Sequence, residues 1–330
     1  MSEQRPPKAV ALGGGHGLHA SLSALRLLTT DLTAVVTVAD DGGSSGRIRR
    51  ELKVLPPGDL RMALSALAGT APEQAHWAEL LQHRIGGHGV LAGHPVGNLM
   101  LTALLERAAD PTMALAQLAE LVGAVGRVLP MSPVPLDLLA EADRFDPDDP
   151  SRTRLIRGQS SIAATPGRVR TVRLLPPGAP ACAAAVDAVR EADLVVLGPG
   201  SWFTSVIPHL LLRELGTALC ATAAQVAVVL NLVPQAGETD DYEPHQLLDV
   251  LQNHAGAYGG LKIDAVLADT ESVLDREQLT RHVSAMGARL VVSRLADEDS
   301  SERHDAARLS DAIRAAIGVR ERSLRANHER

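Results

Sequence analysis

The sequence predicts an α/β fold: a doubly wound, mostly parallel Rossmann-like sheet with helices on both faces. Three observations carry this. Short apolar runs alternate with segments of helical period almost from end to end. One run, TAVVTVA (33–39), is β-branched and apolar throughout, as a strand buried on both faces should be. A glycine-rich turn, GGGHG (13–17), directly follows the first apolar run.

The elements follow in order. KAVAL (8–12) reads as a strand, LHASLSALRLL (18–28) as a helix and TAVVTVA as the second strand. A helix-rich stretch from about 44 to 125 holds DLRMALSALA, HWAELLQHRI, PVGNLMLTALLERA and MALAQLAELVGAV. Strand-like pieces come next at RVLPMS (127–132), RTRLI (152–156) and RVRTVRLL (168–175). Between them EADRFDPDDPS (141–151) reads as a surface loop rather than a linker, with strands on both sides joining one sheet. The alternation then resumes. Helix ACAAAVDAVREA precedes strand LVVLG (194–198), helix VIPHLLLREL precedes strand VAVVLNL (226–232), and helix PHQLLDVLQNHA precedes strand IDAVLA (263–268). Helix REQLTRHVSAMG, strand RLVVSRL (289–295) and helix DAARLSDAIRAAI complete it. We therefore expect one nucleotide-binding domain over 1–317 and a polar, loose tail over 318–330.

Composition narrows the function. Hydrophobic residues make up 45% and aromatic residues 2%, so the core is aliphatic and few rings remain to stack bases. A net charge of −7 opposes a polyanionic partner, so no nucleic acid is expected. Cys182 and Cys220 sit in Ala-rich surroundings and read as inert thiols of a reducing compartment. The N-terminus lacks an apolar signal region, and no stretch reaches the ~18 apolar residues of a membrane span. The expected location is the cytoplasm.

Open parallel sheets bind ligands beyond the carboxyl ends of their strands, which reduces the search to a few loops. The first holds Gly13, Gly14, Gly15 and Gly17. Counted from Gly15 it fits G-x-G-x-x-A, with Asp40 about 20 residues beyond Ala20. A ligand-free strand-to-helix turn is the bland alternative. The second is VADDGGSSGR (38–47): Asp40 and Asp41 at a strand end suit ribose hydroxyls or a water-bridged metal, followed by Gly42, Gly43, Ser44 and Ser45. Either serine could instead cap the next helix. The third, GPGSWFTS (198–205), offers Gly198, Gly200, Ser201 and Thr204 as a phosphate or sugar cradle, against a plain Pro-Gly turn. Asn98 needs a polar partner, either a ligand or a neighbouring loop. Arg168 and Arg170 read as a solvated strand face, and His88 and His94 lack metal-ligand spacing.

GGGHGL, TAVVTVADDGGSSGR, LPPGDLRMAL, GNL, LGPGSWFTSVIPHLL and QAGETD occur in that order. Together they resemble the bacterial gluconeogenesis-factor family, the YvcK branch of the CofD-like superfamily, over about residues 8 to 245, with an echo at RHDAARL (303–309). The resemblance implies a cytoplasmic binder of UDP-N-acetylglucosamine that supports gluconeogenic growth, cell shape and peptidoglycan synthesis. It assigns no settled catalytic activity, no certain cofactor and no catalytic residue. It leaves room for cell-wall or carbon-metabolism protein partners and for self-association. By motif, the ligand loops are the glycines of 13–17, residues 40–45, Asn98 and the Gly198–Thr204 loop, with Arg303 suited to a diphosphate. His16, His94–Pro95 and Ala236 depart from the family's usual residues.

Three functions compete. A nucleotide-sugar-binding regulator leads. A phospholactyl-type transferase, like the sister branch's 2-phospho-L-lactate transferase, would use Mg²⁺ on Asp40 or Asp41. An NAD-dependent dehydrogenase is weakest, because no motif nominates a proton-shuttling side chain.

Overall fold

The computed structural model describes residues 5–145, 148–149, 151–235 and 237–328, so Ala236 lies outside the described residues. Seven strands form one parallel sheet: β1 (Ala9–Gly13), β2 (Leu32–Val36), β3 (Arg127–Pro130), and, after a smaller sheet, β7 (Leu194–Leu197), β8 (Gln225–Val229), β9 (Ala265–Asp269) and β10 (Arg289–Ser293). Their order is β10-β9-β8-β7-β1-β2-β3. The chain thus builds outward from β1 on one side, then returns to continue from β7 on the other. The crevice between the carboxyl ends of β1 and β7 is the topological switch point, where such sheets bind ligands. β1, β2, β7 and β9 are buried at every position, which explains their predominantly apolar sequences, with Thr33 and Asp269 the polar exceptions.

Helices cover the sheet. α1 (Gly15–Leu25) joins β1 to β2. Five more fill the span to β3: α2 (Gly43–Leu52), α3 (Pro57–Leu67), α4 (Pro72–Gln82), α5 (Val96–Arg107) and α6 (Pro111–Leu121). Proline opens α3, α4 and α6, where its missing N–H costs nothing, and Asp110 caps α6 by accepting from the Thr112 amide at 2.8 Å.

The strands between β3 and β7 overturn one expectation. RTRLI and RVRTVRLL do not join the main sheet. They are β5 (Arg154–Arg157) and β6 (Arg168–Leu175), which flank β4 (Asp137–Asp143) in a separate antiparallel sheet ordered β5-β4-β6. The reason lies in β4, which begins before the 141–151 loop and runs into it. Its alternating burial, with Leu138, Ala140 and Ala142 inside, marks a half-buried strand that a parallel core would not accept. The short α7 (Gln159–Ala163) links β5 to β6. Arg168 and Arg170 are not merely solvated: Arg168 stacks 4.0 Å over the Tyr242 ring, and Arg170 Nε donates to buried Asp143 at 2.6 Å.

The rest follows the expected alternation: α8 (Ala183–Glu191), a π-helical turn (Trp202–Val206), α9 (Pro208–Leu211), α10 (Arg213–Ala221), α11 (Pro244–Ala255), α12 (Arg276–Ala285) and α13 (Ala306–His328). α13 runs on past Ile317, so residues 318–328 of the expected tail continue that helix. Among the described residues no helix is long and apolar enough to cross a membrane. Both thiols are free, and burial pushes each above its usual range. The core is aliphatic around the fully buried Trp202 and Phe203.

Candidate functional site

The turn after β1 is shaped by what packs against it. Gly14, at the N-terminus of α1, has no room for a side chain: a Cβ would overlap an Asp59 carboxylate oxygen and sit 2.6 Å from Thr37 Cγ2. Three residues on, a Cβ at Gly17 would overlap the Pro199 carbonyl oxygen and lie 2.6 Å from Gly200 Cα. The glycines of the two loops therefore let the carboxyl ends of β1 and β7 close on each other, and Ser21 Oγ ties them by donating to the Gly198 carbonyl at 2.5 Å. Gly17→Ala is expected to push this backbone apart, destabilising the fold by about 1–3 kcal/mol. Denaturant titration reads this directly, and an unchanged midpoint would remove the close-approach account.

Outside this junction lies a cleft of about 540 Å³. His16, Gly17 and His19 of α1 form one wall, Gly200 and Asn231 the floor, and Arg303 with its neighbours the opposite wall. Asn231 fixes Gly200 from both sides, accepting its N–H at 2.8 Å and donating to its carbonyl at 3.0 Å. The Arg303 wall is a hairpin closed by a bridge between Ala296 and His304 and anchored by Asp269, which accepts the Leu295 and Ala296 amides at 2.5 and 3.1 Å. Arg303 itself is mostly exposed, and among the described residues its side chain is held by Asp297 alone, at 3.2 Å, which leaves most of its donors free there. Burial pushes the His304 imidazole down to about 4, against the opposing pull of the Leu230 carbonyl and Asp269, so the wall is uncharged there at neutral pH.

The expected phosphate cradle at Ser201–Thr204 is filled from within the chain. Glu238, 4% exposed, accepts the Phe203 and Thr204 amides at 2.7 and 3.1 Å on one oxygen and the Ser201 hydroxyl on the other. Ser201 also bonds Thr204 Oγ1. These donors would suit an anion, and a carboxylate already occupies them. Ser201 and Thr204 therefore support the cleft through Glu238 and offer it no free donor. Glu238 was missed in the sequence because its partners lie some thirty-five residues away; the acid inside QAGETD was the available signal.

Residues 40–45 make a second group on the other side of the first turn. Asp40 accepts the Gly42 amide at 2.9 Å. Asp41 is turned away, accepting the Ser160 amide at the start of α7 at 2.8 Å, and so anchors the small sheet. The acid that joins Asp40 is Asp59, at the start of α3, which sequence reading did not single out. Burial and then the Asp40 charge push Asp59 up to about 7, against a hydrogen bond from the Gly15 amide and the pull of Arg61. Burial also raises Asp40, opposed by the Gly42 amide and the Ser45 hydroxyl. Neither serine caps α2: Ser45 Oγ accepts the Gly58 amide at 3.0 Å, and Ser44 contacts His94 and Asn98. Asn98, 2% exposed, is satisfied by Ser44 and Arg61, so its partners are side chains of this chain.

The structure thus brings Gly17, Gly200 and Arg303 to the cleft, and gathers Gly14, Asp40, Ser44, Ser45 and Asn98 behind the turn. Gly13 and Gly15 belong to the turn between them. Among the described residues no group of three or more His, Cys, Asp or Glu is arranged to hold a metal.

Comparison with known proteins sets this geometry in a family. The family model for 2-phospho-L-lactate transferase CofD matches residues 9–310. A Mycobacterium tuberculosis chain is 57% identical over 282 residues, covering 84% of this chain and 81% of its own. The gluconeogenesis factor of Listeria innocua is 37% identical over 328 residues, covering 96% and 98%. A crystal structure of a UPF0052-family protein from Bacillus halodurans superposes with a TM-score of 0.82 at 31% identity, covering 94% of this chain and 99% of that one.

Proposed function

Because the chain belongs to the CofD-like family, among the gluconeogenesis factors, we propose that it is a regulator that binds UDP-N-acetylglucosamine and serves gluconeogenic growth, cell shape and peptidoglycan synthesis. One observation carries the reading: a cleft of about 540 Å³ at the switch point of a parallel sheet, with a helix N-terminus on one side and a mostly unpaired Arg303 on the other. The N-terminus of α1 suits a diphosphate, and Arg303 can fork onto its oxygens. Asp40, behind the turn, is the acid offered to a ribose or sugar hydroxyl.

Calorimetric titration with UDP-N-acetylglucosamine, UDP-glucose and NAD, each with and without Mg²⁺, tests this. Micromolar binding of the first alone, with no product after overnight incubation, is the expected result. Comparable binding of NAD would sink it. Asp40→Asn is expected to weaken binding about tenfold or more, since a hydrogen bond to a charged group contributes about 1.5–3 kcal/mol. Its melting curve should match the parent's, and equal affinity of parent and variant would clear Asp40 of the role.

The Asp40–Asp59 pair favours a second reading, a Mg²⁺-dependent phospholactyl-type transferase. Burial raises both carboxyls and the Asp40 charge raises Asp59 further, an arrangement that suits a divalent cation, which would offset the negative charge and supply charge stabilisation to a diphosphate leaving group. Asp40 and Asp59 would hold it, with Asp41 committed to α7. Strict Mg²⁺ dependence together with product formation would favour the transferase over the regulator.

A further inference from the structure

Ser44 stands in a directed chain of hydrogen bonds. Arg61 Nε donates to Asn98 Oδ1 at 2.9 Å, and a guanidinium can only donate, so the Asn98 oxygen must face Arg61. The Asn98 amide nitrogen therefore faces Ser44 and donates to its Oγ at 2.9 Å. With that oxygen accepting from Asn98, the Ser44 proton is directed to His94 Nδ1, 2.7 Å away. Nδ1 is then the bare nitrogen of a neutral imidazole. Burial and the Arg47 charge keep His94 below the usual imidazole range against the pull of Glu51; Arg61 bonds Asn98, and Arg84 bonds the Gly93 carbonyl on the residue before His94.

The backbone fits the same role. Gly42-Gly43-Ser44-Ser45-Gly46 follows β2 and opens α2, a strand–turn–helix placement of G-x-S-x-G. A Cβ at Gly46 would overlap the Asp41 carbonyl, and one at Gly42 would lie 2.6 Å from Ser160 Oγ, so the turn is tight on both sides. The left-handed residue is Gly43, with φ of 46°, which leaves Ser44 itself unstrained. No side chain caps α2, so its first-turn amides are available to a developing oxyanion.

We propose that Ser44 is an activated nucleophile, with His94 as its general base and Asn98 as positioning residue, for acyl transfer from a neutral ester to water. Asp40 and Asp59 nearby oppose an anionic electrophile. Ser44 Oγ bonds to the carbonyl carbon as its proton passes to His94 Nδ1, and the carbonyl π pair moves onto oxygen beside the α2 amides. The C=O re-forms, the bond to the alcohol oxygen breaks, and the alcohol leaves with the proton from His94. Water then attacks the acyl carbon, giving its proton to His94, and Ser44 departs reprotonated; the ester and water become acid and alcohol.

Diisopropyl fluorophosphate tests the nucleophile directly: an Oγ–P bond forms, the P–F bond breaks, fluoride leaves and the proton goes to His94. Intact-mass and peptide mapping should find one adduct, on Ser44, absent in Ser44→Ala and formed at least tenfold more slowly in His94→Gln. In the parent chain, independently of any variant, the rate should rise through one ionisation below the ordinary histidine range and stay flat to pH 8. p-Nitrophenyl acetate should release one equivalent of nitrophenol in a burst. No adduct on Ser44, labelling of other serines only, a pH-independent rate, or an equal rate in a folded His94→Gln would each overturn the proposal.

Discussion

Glu238→Ala is expected to lower stability by about 3 kcal/mol and to abolish binding in the cleft. The substitution strands two backbone amides and a serine hydroxyl in the interior, each costing roughly 1 kcal/mol or more once its acceptor is gone. The π-helical turn and the loop carrying Asn231 and Gln235 then lose their common anchor, and with it the floor and rim of the cleft. A melting temperature lower by roughly 4–5 °C follows for a domain of this size. Glu238→Gln keeps an oxygen for the two amides and should recover most of the loss, which separates hydrogen bonding from charge. An alanine variant melting within a degree or two of the parent would show that the cradle holds its shape without the carboxylate.

Acidification from pH 6.5 to about 4 is expected to remove about 3 kcal/mol of stability through His209 alone. This ring is fully buried between the Val35 and Val206 carbonyls, at 3.1 and 3.2 Å from its two nitrogens. Burial outweighs those carbonyls and pushes the imidazole down to about 4. The unfolded chain therefore binds a proton in this window while the folded chain does not. The contribution is complete above pH 6.5 and drains away as pH falls towards the folded value. Asp59 runs the other way: its raised carboxyl contributes stability below its unfolded value that is lost as pH rises through about 7. The comparison of parent with His209→Gln isolates the histidine. The variant's melting temperature should fall less steeply between pH 6.5 and 4, and parallel curves would refute the assignment.

The main sheet was legible because its signal is local. A strand such as LVVL or AVALG, buried on every side, carries its environment in its own letters. β5 does not: three of its four residues are exposed, and it is a strand only because β4 pairs with it. The candidate site divides in the same way. Glycine turns at strand ends announce themselves through residues 13–17 and 198–200. Asp59 opens a helix like any first-turn acid, and its raised proton affinity comes from burial in the folded chain and then from Asp40 across the fold. Asp41 looked equivalent to its neighbour, and only the approach of α7 turns it into an anchor. The hydroxyls at Ser201–Thr204 suggest a ligand cradle from sequence, and only the approach of Glu238 across the fold shows their donors already taken.

β1, an inner strand with a neighbour on each side, is made long before one of those neighbours, β7. Ala9 of β1 pairs with Leu32 on one side and Leu194 on the other. At about 5–20 residues per second of synthesis, β1 waits roughly 10–40 s with one apolar edge open before β7 exists. No fragment ending before Leu197 can complete the sheet or form the cleft. An N-terminal half would expose the hydrogen-bonding edge most prone to pairing with another chain. Translation speed and chaperone cover over the first two hundred residues therefore bear directly on how much of this protein reaches the folded state.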